Sequence, residues 1–229
     1  MTRSSLQVTV LAGLLLAFAG SASAATYTNV PGGATTGLPF VSFGNAANPS
    51  SDSPKVGEVF SLTSAATLSS FDFYAIGNTT ASLQLNVAQW TGTYPAFSVG
   101  TPLLTTTGSA IETYDAVKGI TTLDFSNLNL SLNANTKYIA YLTSNDAAVT
   151  GIQLSRTQTA QDASGFGLGN GYLSTIPGNG WQLPFNGNGF LSLQYTAVTA
   201  AVPEPESYAM LLAGLGLMGV IARRRSQAK

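Results

Sequence analysis

No cysteine and no histidine occur among the 229 residues. The first absence removes disulfides, thiolate nucleophiles and cysteine-based zinc sites; the second removes the imidazole general base and the commonest nitrogen ligand of transition metals. The serines therefore have no histidine partner, and no Gly-x-Ser-x-Gly sequence is present, so a hydrolase nucleophile is not supported. Charge is scarce too: Asp, Glu, Lys and Arg make up 8% of the chain, against roughly 25% in ordinary globular proteins. Between Ala25 and Val202 four basic side chains stand against eight acidic ones, a net of −4. Such a body offers nothing to a polyanion, and nucleic acid is not an expected partner. Clustered Asp-x-Asp spacing of the calcium-loop kind is missing. No catalytic residue, metal or cofactor is expected. The lack of cysteine says nothing of the compartment, because an oxidising environment permits disulfides without requiring them.

The compartment is read from the ends. Arg3 precedes the apolar run from Leu6 to Ala19, which is followed by Gly20 and small residues, with Ala22-Ser23-Ala24 in the A-x-A pattern. A short positive region, an apolar stretch of this length and a small-residue site make a secretory signal peptide over residues 1–24, helical in its apolar part. The Sec translocation machinery and signal peptidase are its expected partners, and cleavage after Ala24 starts the mature chain at Ala25.

At the other end, Tyr208 to Ala222 is uncharged over 15 residues and closes on Arg223, Arg224 and Arg225. As a helix it reaches roughly 22 Å, short of a hydrocarbon core near 30 Å. It spans only if its ends snorkel or the bilayer thins. The three arginines favour a cytoplasmic carboxyl end, so the segment is expected to act as a transmembrane stop-transfer helix. Before it, Pro203 and Pro205 flank Glu204; each proline lacks an amide donor and disfavours a helical residue before it, which keeps the stretch extended and accessible to an enzyme cleft.

A Pro-Glu-Pro motif, a short glycine-containing apolar helix and a terminal basic cluster, in that order, make residues 202–229 resemble the PEP-CTERM sorting signal. The resemblance implies recognition by an exosortase, an integral membrane transpeptidase of Gram-negative bacteria that make extracellular polysaccharide. No LPxTG sequence precedes the apolar run, which excludes a Gram-positive sortase signal.

The body between the signals, residues 25–201 with a loose segment to about residue 54, alternates with period two in short runs. Leu83, Leu85 and Val87 share one face while Gln84 and Asn86 share the other; Phe71 and Phe73 separate likewise from Asp72 and Tyr74. The pattern recurs at Leu123/Phe125, Leu128/Leu130/Leu132, Tyr138/Ala140/Leu142, Ile152/Leu154 and Leu191/Leu193/Tyr195. Half-buried strands punctuated by Gly, Asn, Pro and Ser predict an all-β, antiparallel sandwich, jelly-roll-like, of about eight to ten strands. The order of these pieces is similar to the jelly-roll bodies often attached to PEP-CTERM signals. Gly165 to Gly189 reads as a long Gly/Asn-rich connection holding one or two short strands.

Trp90 shares the parity of Gln84 and Asn86, so in a regular strand its indole points away from the core. With Tyr94 and Trp181 it forms a candidate rim for stacking on sugar rings; a local bulge would instead turn Trp90 inward. Asp115 and Asp162 stand in turn-like sequences, where carboxylates ordinarily just solvate the turn. Asn78-Thr79-Thr80 fits the N-glycosylation triplet, as chance allows in so Asn- and Thr-rich a chain. The expected function is that of a secreted, non-catalytic surface or matrix protein, anchored in the inner membrane as an intermediate and then structural or adhesive in exopolysaccharide or biofilm. A carbohydrate-binding module using exposed aromatics is the alternative.

Overall fold

The computed structural model describes residues 24–30, 38–44, 52–93, 96–107, 110–157, 166–174, 180–182, 192–201 and 205–227. They divide into two compact units, the body Ala24–Ala200 and a carboxyl-terminal part from Ala201. The apolar leader expected before Ala24 lies outside the described residues.

The body holds two antiparallel sheets. The chain first lays down β1 (Ala24–Thr28), β2 (Leu38–Phe43), β3 (Lys55–Leu62), β4 (Ala66–Ile76), β5 (Gln84–Thr93), β6 (Ala96–Thr105), β7 (Ile111–Asp115) and β8 (Ile120–Phe125). It continues through β9 (Leu130–Leu132), β10 (Lys137–Thr143), β11 (Ile152–Thr157), β12 (Phe166–Ser174), β13 (Trp181–Gln182), β14 (Ser192–Leu193) and β15 (Tyr195–Ala201). The nine-stranded sheet runs β1-β15-β4-β11-β14, with β2 added on β11, β8 and β9 on β4, and β7 on β8. The six-stranded sheet runs β13-β12-β3-β10-β5-β6. From β3 onward the chain passes back and forth between the sheets, so most sequence neighbours face each other across the core.

The alternation read from sequence explains that core. Leu85 and Val87, Tyr138 and Ala140, and Phe60 from the six-stranded sheet meet Phe71, Phe73, Leu123, Leu154 and Tyr195 from the other in one buried cluster. Phe71 stands at its centre: its ring lies 5.7 Å from that of Phe60 across the sandwich, 5.0 Å from Phe73 and 5.4 Å from Tyr195, on which it stacks.

Two expectations change. The body has fifteen strands among the described residues rather than about eight to ten, because β1, β2 and β13 fall where the sequence shows no clean alternation and the run through Leu193 and Tyr195, which reads as one strand, is divided between β14 and β15. The segment before residue 54, expected to be loose, contributes β1 and β2 to the nine-stranded sheet. The backbone of these two strands is paired, although the sequence there shows no clean apolar alternation. The connection from Gly165 to Gly189 contains β12 and β13, as its sequence suggests.

Candidate functional site

The carboxyl-terminal segment leaves the body from β15. Val202, Pro203 and Glu204 lie outside the described residues; Pro205 opens a helix, α1 (Pro205–Gln227). Proline suits the first helical turn, where its missing N–H would have no partner in any case and its φ is already helical. Leu212, Leu215, Leu217, Met218 and Val220 are all exposed, Leu212 by 67%. At 100° per residue these positions point around the whole helix rather than along one stripe. A helix apolar on all sides has no single face to lay on a protein surface, and its favourable surroundings are apolar throughout. Arg223 and Arg224 at its carboxyl end are exposed and complement the negative end of the helix dipole; the side chain of Arg225 lies outside the described residues.

The helix covers the whole apolar run read from sequence, yet the transmembrane expectation is corrected. Among the described residues no helix is long and apolar enough to cross a membrane. The reason is legible in the 15-residue run from Tyr208 to Ala222, which is shorter than the roughly 20 residues a span prefers and is diluted by Gly214, Gly216 and Gly219.

Of the expected leader site, Ala22 lies outside the described residues, while Ala24 is the first residue of β1 and is exposed. It pairs with Ala200, so the place where a leader would be cut and the strand leading to the Pro-Glu-Pro sequence belong to one ladder.

The aromatic rim does not form as expected. Trp90 keeps the predicted parity, on the face of the six-stranded sheet opposite the main core, but it is buried there to 5% exposure in a second cluster with Val59, Ala88, Ile139 and Tyr141. Trp181, half-buried, packs against this cluster, edge-on to Trp90 at 6.2 Å and to Tyr141 at 5.3 Å. Parity gave the face; it could not show that β13 delivers a second indole onto the first. Gly57 is part of the reason the layer closes: it sits opposite Tyr141, and a Cβ there would stand 2.5 Å from that residue's Cβ. Stacking of Trp90 on a sugar is thus corrected, since neighbouring side chains already cover the ring. Tyr94 lies outside the described residues.

Carboxylates supply a site that sequence reasoning missed. Asp72 on β4 and Asp124 on β8 stand directly opposite each other in the ladder. Burial first, then the charge of Asp124 and a hydrogen bond to it, hold the Asp72 carboxyl up to about 7. Carboxyls close enough to share a hydrogen bond are nearer than the roughly 5 Å separation across which a retaining glycosidase pair works. Only the strand register exposes this pairing, which is why neither aspartate stands out alone. In the unfolded chain Asp72 ionises near 3.9, so between about pH 4 and pH 7 the folded state keeps a proton the unfolded state has lost, and stability falls as pH rises. Asp72→Asn should therefore match the parent near pH 4 and exceed it by roughly 1–2 kcal/mol at pH 8, after allowance for solvent screening. Urea unfolding at the two pH values checks this; a gain of equal size at both would exclude the shared proton as its source.

Glu58 is the other missed carboxyl. It is fully buried on β3; its Oε1 accepts from Ser192 Oγ at 2.8 Å and its Oε2 from the Leu193 N–H at 3.0 Å. Asn29 completes the group, donating from Nδ2 to Ser192 Oγ at 3.0 Å and to the Leu193 carbonyl at 2.6 Å, and accepting the Tyr195 N–H at 2.9 Å. Burial drives the Glu58 carboxyl well above its ordinary range, against the two hydrogen bonds that favour its charge. The sequence cue was present: Glu58 shares the parity of Val56, Phe60 and Leu62.

Asp115 does more than solvate the β7–β8 turn: its Oδ1 accepts from the backbone N–H groups of Val117 and Lys118 and braces it. Gly119 supplies the positive φ of 66° that the turn needs. Asn78 is exposed; Asp162 lies outside the described residues. Among the described residues no three of Asp and Glu gather as a metal cage.

Residues 201–226 match the family model of the PEP-CTERM protein-sorting motif. The motif marks a secreted protein sorted by an exosortase, a membrane enzyme, on export toward the cell surface. No curated protein and no solved structure matches the chain.

Proposed function

We propose that this chain is a non-catalytic structural or adhesive protein of the extracellular polysaccharide or biofilm of a Gram-negative bacterium, built on a jelly-roll-like sandwich. It enters the Sec pathway through residues 1–24 and loses them to signal peptidase. Helix α1, with Arg223, Arg224 and Arg225 at its end, then holds it briefly at the inner membrane. The exosortase acts at the Pro203-Glu204-Pro205 motif and passes the sandwich to the cell surface or matrix.

The observation that carries this reading is the sorting motif at residues 201–226, which begins where the last strand ends. The helix supports it: apolar on all sides and short, α1 suits a passing stay in lipid better than a permanent anchor. The body supports it too, because a surface rich in Ser, Thr, Asn and Gly with 8% charged residues suits a hydrated, weakly charged polysaccharide more than an ionic partner.

The test is the mass of the carboxyl-terminal peptide of the mature protein from cells with and without the exosortase. Loss of everything beyond the Pro-Glu-Pro region, only when the enzyme is present, is the expected result. An intact "ARRRSQAK" end in both would make the chain a membrane-held sandwich instead.

A further inference from the structure

Exposed apolar side chains are concentrated at one edge of the body. Among its described residues four large ones stand in solvent, and three of them, Ile111, Tyr114 and Val117, lie on β7 and the turn that follows it. Val117 at the tip is exposed by 98% and Ile111 by 62%. Single exposed apolar residues are ordinary; three gathered on one edge mark a surface that meets a partner.

β7 is also an edge strand. Among the described residues it is laddered to β8 alone, so one row of its backbone N–H and C=O groups faces away from the sheet. Proteins ordinarily blunt such an edge with proline, lysine or a bulge. β6, the edge of the other sheet, has Pro102 and two register shifts. β7 has none of these: its sequence is Ile-Glu-Thr-Tyr-Asp, and its five pairs with β8 run in continuous register. Nor do its carboxylates guard it, since both are engaged within the body. Glu112 Oε1 accepts the Ala81 N–H at 2.7 Å, and Asp115 accepts the turn N–H groups and pairs with Lys118 at 3.8 Å.

The chemistry of this edge selects its occupant. Two identical antiparallel strands related by a two-fold axis must set one residue opposite itself, which leaves few registers. An axis through Glu112 or through Asp115 opposes two carboxylates. An axis through Ile111 leaves Tyr114 and Val117 outside the pairing, and one through Thr113 sets Ile111 against Asp115. An axis through Tyr114 makes the two tyrosines a cross-strand aromatic pair, sets Thr113 against Asp115 and brings Ile111 to the turn that carries Val117 of the second copy. This register matches the exposed apolar side chains with one another and opposes no like charges.

We propose that β7 pairs with β7 of a second copy of this chain, antiparallel and centred on Tyr114, so that the two nine-stranded sheets continue as one. The contact is small, a short ladder and a turn, which makes the dimer weak and reversible, formed where copies are crowded. This inference goes beyond the sorting reading and does not depend on it.

The test follows the full chain by sedimentation as its concentration rises, in a mild detergent that covers helix α1. The parent should pass from monomer to dimer. Tyr114→Lys and Tyr114→Glu each oppose like charges and should weaken the dimer at least about tenfold, while an equimolar mixture of the two should restore it. Tyr114 is exposed, so neither change opens the core. Because the chain has no cysteine, Tyr114→Cys gives a single thiol that should cross-link two copies on mild oxidation. Thr113→Cys, diagonal across the axis, lies beyond disulfide reach and should not. A parent that stays monomeric, a dimer that survives both charged variants and so is held elsewhere, a mixture that fails to restore it, or cross-linking at position 113 in place of 114 would each overturn the inference.

Discussion

Glu58→Ala is expected to lower the unfolding free energy by about 2–4 kcal/mol, whereas Glu58→Gln should stay within about 1 kcal/mol of the parent at mildly acidic pH. Truncation leaves a cavity between the sheets and strips the partner from Ser192 Oγ and the Leu193 N–H, both buried. Glutamine has the shape of the protonated acid, and its carbonyl can still accept the Leu193 N–H. The pH dependence separates a neutral from a charged Glu58. Because burial raises its folded-state pKa, the unfolded chain ionises first as pH climbs out of the ordinary carboxylate range, and the parent loses stability until the folded carboxyl itself titrates. Glu58→Gln has no such proton to lose, so its advantage should widen with pH. Urea unfolding of the three proteins at pH 5 and pH 8 decides it; a glutamine variant that is worse at both would mean that the buried group works as a carboxylate.

The second large effect is expected at Phe71. Phe71→Ala should cost about 3–5 kcal/mol, the range for deleting a buried aromatic from a core that cannot collapse around the gap. Collapse is hindered here because the neighbours of Phe71 belong to three strands of two sheets: Phe60 on β3, Phe73 on β4 itself and Tyr195 on β15. Phe71→Leu keeps most of the volume and should lose less than half as much. A fall in the denaturation midpoint at constant slope would assign the change to the folded state. A loss under about 1 kcal/mol for the alanine variant would show a core far more yielding than its stacking implies.

These two residues also mark what the sequence could reveal. Phe71 was legible because the alternation of Phe71, Asp72, Phe73 and Tyr74 assigns faces without any partner being known, and Leu85/Val87, Leu123/Phe125, Tyr138/Ala140/Leu142 and Ile152/Leu154 turn to the core on the same basis. Glu58 was equally legible by parity, yet a lone acid among apolar residues carries no hint of the serine and asparagine that enclose it from distant segments. Trp90 shows the limit from the other side: its face followed from its neighbours, and its burial followed from Trp181, some ninety positions away. Asp72 and Asp124 are harder still, since a one-residue change of register would have separated them. The sorting segment was the most legible part, because its parts are contiguous and an external enzyme reads them in order.

The passage of the chain back and forth between the two sheets carries a kinetic consequence. Few consecutive strands can zip into hairpins; β5–β6, β7–β8 and β12–β13 do, whereas β3 waits for β10 and β12, and β1 waits for β15. Contacts so distant along the sequence demand large loop closures before any reward, which places such domains among the slower folders, in the millisecond-to-second range. A chain threaded through a membrane amino end first therefore holds a partner-less β1 until its last body strand has followed. Export of the chain can therefore run ahead of its folding.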